Sequence, residues 1–113
     1  MSAITTHVLD TARGRPAAGV AVVLEREQEK AWREVGRGVT DADGRVKALL
    51  APGVFLSAGV HRLTFETGAY FAGQNVPAFY PQVAVVFTIT DPAQHHHVPL
   101  LLSPFGYSTY RGS

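Results

Sequence analysis

Hydrophobic and polar residues alternate along this chain in short runs, and helical spacing is almost absent. Runs rich in β-branched and aromatic residues fall at residues 5–10, 18–27, 32–39, 45–49, 61–67, 82–90, 95–102 and 106–110. A period of two over such lengths marks a strand with one buried face. Turn-forming residues separate the runs, as in Arg13-Gly14-Arg15-Pro16, Asp41-Ala42-Asp43-Gly44 and Asp91-Pro92. Only Gly68-Ala69-Tyr70-Phe71-Ala72-Gly73 reads as helical, and it is too short to be a core element. Strands in this number predict an all-β sandwich with no linker and no internal repeat. The loop from Gln74 to Pro81 carries apolar side chains that suit the covering of a sandwich edge.

Parity then sorts side chains onto faces. In the first run Thr6 and Val8 suit inner positions, which sends Thr5, His7 and Leu9 outward. In 82–90 Val83, Val85, Phe87 and Ile89 make one apolar face, while Ala84 and Val86 make the other partly apolar as well. In 95–102 Val98, Leu100 and Leu102 are opposed by His95, His97, Pro99 and Leu101, while His96 points the same way as Val98. Val46 suits the core and Arg45 lies outward or at the turn. Ser108 and Tyr110 share a face of the last strand. An outer face carrying Pro99 and Leu101 predicts contact with another subunit.

Composition narrows the function classes. The 113 residues fit a single domain spanning residues 1–113, with 46% hydrophobic content. Lys and Arg number 10 against 9 Asp and Glu, with the signs interspersed, which argues against nucleic acid as a partner. The run Glu25-Arg26-Glu27-Gln28-Glu29-Lys30 is mixed in sign and suits a solvated strand end or a hairpin turn better than a phosphate-binding surface. There is no cysteine, hence no disulfide. No apolar run approaches the roughly 18 residues of a membrane helix. Met1 to Thr6 lacks the pattern of a signal peptide, so the expectation is a cytoplasmic protein without membrane contact. Gly36-Arg37-Gly38 lacks the context of a phosphate loop, and the serines show no nucleophile-elbow pattern.

Histidine is the residue type with chemistry to offer, since its charge changes near neutral pH. His95 and His97 share a face at a spacing that can hold zinc if His7 comes near. Solvated histidines at a strand start fit the same pattern. The adopted reading assigns no metal and no cofactor.

The segments Thr6-His7-Val8-Leu9-Asp10, Gly14-Arg15-Pro16-Ala17, Asp43-Gly44-Arg45, His95 to Pro104 and Tyr110-Arg111-Gly112-Ser113 together resemble the transthyretin-related 5-hydroxyisourate hydrolase family, over essentially the whole chain. The terminal Tyr-Arg-Gly-Ser separates these hydrolases from hormone-carrying transthyretins, whereas Leu101-Leu102-Ser103-Pro104 is shared by both. The resemblance implies a prealbumin-type sandwich of two four-stranded sheets with one short helix. It implies a homotetramer, built from dimers paired through edge strands, with sites at the dimer–dimer interface around a central channel. The implied reaction opens the six-membered ring of 5-hydroxyisourate, a purine-derived substrate, to 2-oxo-4-hydroxy-4-carboxy-5-ureidoimidazoline.

By the same resemblance His7 and His97 activate water, Arg45 stabilises the developing oxyanion, and Tyr110, Arg111, Gly112 and Ser113 close the pocket on the substrate. Which histidine is the base stays open at this level. The alternative is a carrier that binds an aromatic ligand in the channel without turnover; His7, where carriers have lysine, and Tyr110, where they have threonine, argue against it. One position departs from the family pattern, in which tyrosine more often stands where this chain has His96. Parity turns His96 away from His97, so the departure belongs to inner or edge packing, and His95 is left either as a support behind the site residues or as a rim group.

Overall fold

The structure is a computed structural model that describes residues 3–113. Its elements are β1 (Ile4–Asp10), β2 (Arg15–Pro16), β3 (Ala21–Gln28), β4 (Ala31–Val39), β5 (Arg45–Val46), β6 (Gly59–Phe65), α1 (Thr67–Ala72), β7 (Val83–Ile89), β8 (His96–Ser103) and β9 (Gly106–Thr109). They form two sheets. One runs β4-β3-β6-β7, all antiparallel. The other runs β2-β1-β8-β9, with β5 also on β1.

The expected four strands per sheet are thus met in width but not in count. Two strands of two residues share one edge of β1: β2 lies against Leu9 and Asp10, and β5 against Thr6 and His7. The run read as a strand over 45–49 keeps its ladder only through Val46, while Leu49 turns into the core.

Alternation translates directly into burial. In β1 every second residue from Ile4 to Asp10 is buried, and His7 and Thr5 face outward, half-buried. In β8 Val98, Leu100 and Leu102 are buried, and Pro99, expected exposed on the outer face as a subunit contact, is buried too, with Gly112 passing close to its ring. With Val8, Val22, Leu24, Leu63, Phe65 and Val83, the inner residues Val98, Leu100 and Leu102 fill one hydrophobic core between the sheets, each such side chain contributing about 1.5–3 kcal/mol by its removal from water.

Two local features set up the site's surroundings. The charged run ends in a hairpin tip at Glu29 and Lys30, whose φ values of 53° and 63° give the left-handed pair that twists a tight hairpin correctly. Gly44, at φ 75°, passes so close to the Val8 carbonyl that a β-carbon would overlap it. The Gly44 carbonyl in turn accepts from the Val8 amide at 2.7 Å, and this seats Arg45 directly beside β1. Helix α1 is tied to the far end of β1, where the Tyr70 hydroxyl donates to buried Asp10 at 2.8 Å. Among the described residues no helix is long and apolar enough to cross a membrane.

Candidate active site

Register brings the outward polar residues together. Strands β1 and β8 pair in parallel, with Thr5 opposite His97 and His7 opposite Pro99. On the other side of β1, β5 runs antiparallel with Arg45 opposite His7. Residues directly opposite in a ladder share a face, so Arg45, His7, Thr5 and His97 all stand on the outer face of this sheet. There a cavity of ≈ 370 Å³ opens, lined by Thr5, Arg45, Lys47, His95, His97 and Ser113 with the buried Thr6 and Val46.

His97 is half-buried, and its Nδ1 lies 2.8 Å from the Thr5 hydroxyl. Its pKa falls below the ordinary histidine value, first because burial penalises the charged ring, then because Arg45, His7 and His95 add positive charge nearby. At neutral pH it is therefore an uncharged imidazole able to accept a proton. His7 stands behind this position, outside the cavity lining. Its Nε2 lies 2.8 Å from the Asp43 carbonyl. A carbonyl only accepts, so Nε2 carries a proton.

The tail divides between two places. The Gly112 amide donates to the His97 carbonyl at 2.8 Å. A β-carbon on Gly112 would stand 2.6 Å from Cδ2 of the His97 ring and 3.4 Å from Cγ of Pro99. Only glycine lets the chain cross over the imidazole, and Ser113 then reaches the cavity wall. Tyr110 and Arg111 instead line a second cavity of ≈ 270 Å³, together with Phe87, His96, Val98 and Thr109. The Arg111 guanidinium donates to Gln94 at 3.0 Å. Of the seven residues singled out in the sequence, Arg45, His97 and Ser113 line the first cavity, His7 and Gly112 flank it, and Tyr110 and Arg111 line the second.

His96 lies on the inner side of β8, 5% exposed, and its Nδ1 has no hydrogen-bond partner. Burial, then the charge of Arg111, lowers its pKa. His61 is structural: fully buried, it stacks on Phe87 with centroids 5.9 Å apart and bonds the Gly59 carbonyl at 3.0 Å. Among the described residues no three His, Cys, Asp or Glu side chains gather as a metal site. Sequence reasoning passed over Thr5 and Lys47 as site residues. The parity that turned His7 outward did the same for Thr5, and Lys47 stands two residues beyond Arg45; that alternation was the available signal.

Two stacked sheets, with a histidine- and arginine-lined cavity on the outer face of one, define a transthyretin-like sandwich whose ligand face is polar. The chain belongs to the HIUase/Transthyretin family, whose family model matches residues 4–112. It is 46% identical over 110 residues to 5-hydroxyisourate hydrolase of Salmonella dublin, covering 97% of this chain and 80% of that protein. The solved 5-hydroxyisourate hydrolase of Klebsiella pneumoniae is 40% identical at a TM-score of 0.85, covering 100% of this chain and 94% of that one. Sea bream transthyretin in complex with thyroxine is 34% identical at a TM-score of 0.89, covering 97% and 94%. The sandwich alone therefore does not separate hydrolase from carrier. The residues on its outer face have to do so.

Proposed function

We propose that this chain is an enzyme that hydrolyses 5-hydroxyisourate to 2-oxo-4-hydroxy-4-carboxy-5-ureidoimidazoline in urate degradation. The observation that carries the reading is a half-buried, uncharged His97 sharing one cavity with the Arg45 guanidinium. Water is a poor nucleophile at neutral pH, and an imidazole of lowered proton affinity suits its activation. His97, which lines the cavity, takes the water proton as the oxygen bonds to the ring carbonyl carbon. His7, on the same face, takes the second task of holding the water or the leaving nitrogen.

Charge that builds on the carbonyl oxygen meets Arg45, whose planar guanidinium offers paired donors. The carbon–nitrogen bond then breaks, the nitrogen receives the proton held on the imidazolium, and a carboxyl group and a ureido group remain. Ser113 at the cavity wall contributes a hydroxyl to the planar heterocycle, and Gly112 keeps the tail close. No metal and no cofactor enter this scheme.

The assembly that suits this face is a homotetramer with two dimers apposed across it. Tyr110, 58% exposed in the single chain, and Arg111 line the second cavity of their own chain, and in that assembly Tyr110 offers its exposed ring to the apposed subunit. Exposed Phe79 and Phe105 are further apolar surface for subunit contact.

The deciding experiment follows the decay of freshly generated 5-hydroxyisourate. Acceleration well beyond the spontaneous rate is the expected result, and its absence overturns the enzyme reading. Saturable binding of an aromatic ligand without turnover would favour the carrier, the reading kept in view by the likeness to sea bream transthyretin.

A further inference from the structure

We infer that Thr5 is a positioning residue that decides which nitrogen of His97 is the base, by directing its single hydroxyl proton away from His97 and onto His95. The inference rests on the reading of His97 as general base. Thr5 Oγ1 lies 2.8 Å from His97 Nδ1 and 3.2 Å from His95 Nε2. A threonine hydroxyl has one proton to donate and lone pairs with which to accept. It cannot donate to both rings.

Two arrangements spend the Thr5 proton within the trio; in a third the hydroxyl accepts from both rings and sends its proton elsewhere, which also leaves His97 Nε2 bare. In the first, His97 Nδ1–H donates to Thr5 and the Thr5 proton goes to His95 Nε2. His97 Nε2 is then bare and able to receive a proton from water. Once it has done so, Nδ1–H keeps its bond to Thr5, so the imidazolium forms without any rearrangement. In the second, Thr5 donates to His97 Nδ1, which obliges a neutral His97 to carry its proton on Nε2. That ring has no free nitrogen facing away from Thr5. General-base chemistry needs Thr5 to accept from His97 Nδ1–H, and an acceptor on the far side of Thr5 favours this by taking the one hydroxyl proton that could otherwise go to His97. His95 supplies that acceptor because it stands two residues before His97, on the same face of the chain.

The fold explains why this trio forms. The parallel register of β1 on β8 sets Thr5 opposite His97, and Gly112, whose amide donates to the His97 carbonyl, passes close beside the ring. A valine at residue 5 has nearly the same volume and the same β-branch, so it keeps the strand and removes only the hydroxyl.

The experiment compares the wild type with Thr5→Val, Thr5→Ser and His95→Phe in the full chain. It uses imidazole 15N NMR of His97 and steady-state kinetics on 5-hydroxyisourate. The wild type is expected to show His97 with Nδ1 protonated and Nε2 bare. Thr5→Val is expected to move the ring toward the Nε2–H form and to lower kcat about 10- to 100-fold with KM little changed. Thr5→Ser restores both signals. His95→Phe gives a smaller change in the same direction. A wild-type His97 protonated on Nε2, or a Thr5→Val protein with unchanged 15N signature and kcat, overturns the inference. The NMR result stands apart from turnover: an inactive wild type with the expected tautomer defeats the enzyme reading and leaves the role of Thr5 in place.

Discussion

His96 and His97 are adjacent in one strand, yet they meet opposite fates. His97 faces out, bonded to Thr5 and bordered by Arg45 in a polar cavity. His96 faces in, 5% exposed, with Nδ1 unpartnered against a cavity that also contains Phe87 and Val98. Burial is the leading cause of the lowered pKa in both. For His97 the result is the uncharged ring that the proposed mechanism needs; for His96 it is only the least costly way to keep an imidazole between two sheets. Residue type therefore says little about role here, and the side of the ladder says most.

The largest break in this comparison comes from exchanging which histidine is lost. His97→Ala is expected to lower the hydrolysis rate by about 10²- to 10⁴-fold, while His96→Ala leaves it within a few-fold; initial rates of 5-hydroxyisourate decay check both. Next comes Arg45→Ala, with a loss of about 10²- to 10³-fold from the unsupported oxyanion. The same substitution moves the pH profile. His97 must be uncharged to act, so activity falls on acidification through its pKa, which lies below 6.5. Removing the Arg45 charge raises that midpoint toward the ordinary value, and a shift to lower pH would contradict the proposed electrostatics.

Gly112→Ala sharpens the outer side alone. The added methyl displaces the His97 ring, for an activity loss on the order of 100-fold from small misplacement. The melting temperature should change little, because Gly112 lies on the outer face of β8. The smallest effect belongs to the inner side. His96→Phe removes a buried, unsatisfied nitrogen and should stabilise the fold by about 1 kcal/mol in urea unfolding at neutral pH.

The sign of its pH dependence follows from the direction of the shift. The folded pKa of His96 lies below 6.5, so the unfolded chain protonates first as pH drops. Stability is full above that value and is lost below it. The advantage of His96→Phe therefore widens under acid. His61 is shifted in the same direction, first by burial and in part by the charge of His96, so His96→Phe also relieves that repulsion and adds to the widening under acid.

Much of this was legible along the chain, because parity is a local property. Thr6 and Val8 inside with His7 outside, or Val98 and Leu100 inside with His97 outside, needed only alternation to be read. The short helix over Thr67–Ala72 and the hairpin tip at Glu29 and Lys30 were equally local. Length was harder to read: the strand expected over 45–49 keeps only Arg45 and Val46, since what ends it is the inward turn of Leu49. The tail was read as one unit, and the structure divides it, with Gly112 and Ser113 beside His97 and Arg111 beside His96.

Alternation by itself determined the class of fold, the inner residues of β1 and the inner apolar set of β8, and the outward direction of His7 and His97, because strand geometry fixes side-chain direction residue by residue. The tertiary structure alone decided who meets whom. The parallel pairing of β1 with β8 brings Thr5 to His97 across 92 residues of chain, and the two-residue β5 brings Arg45 to His7. No periodicity encodes a register between distant strands. It is set by the packing of the whole inner face, which places every outer residue at once.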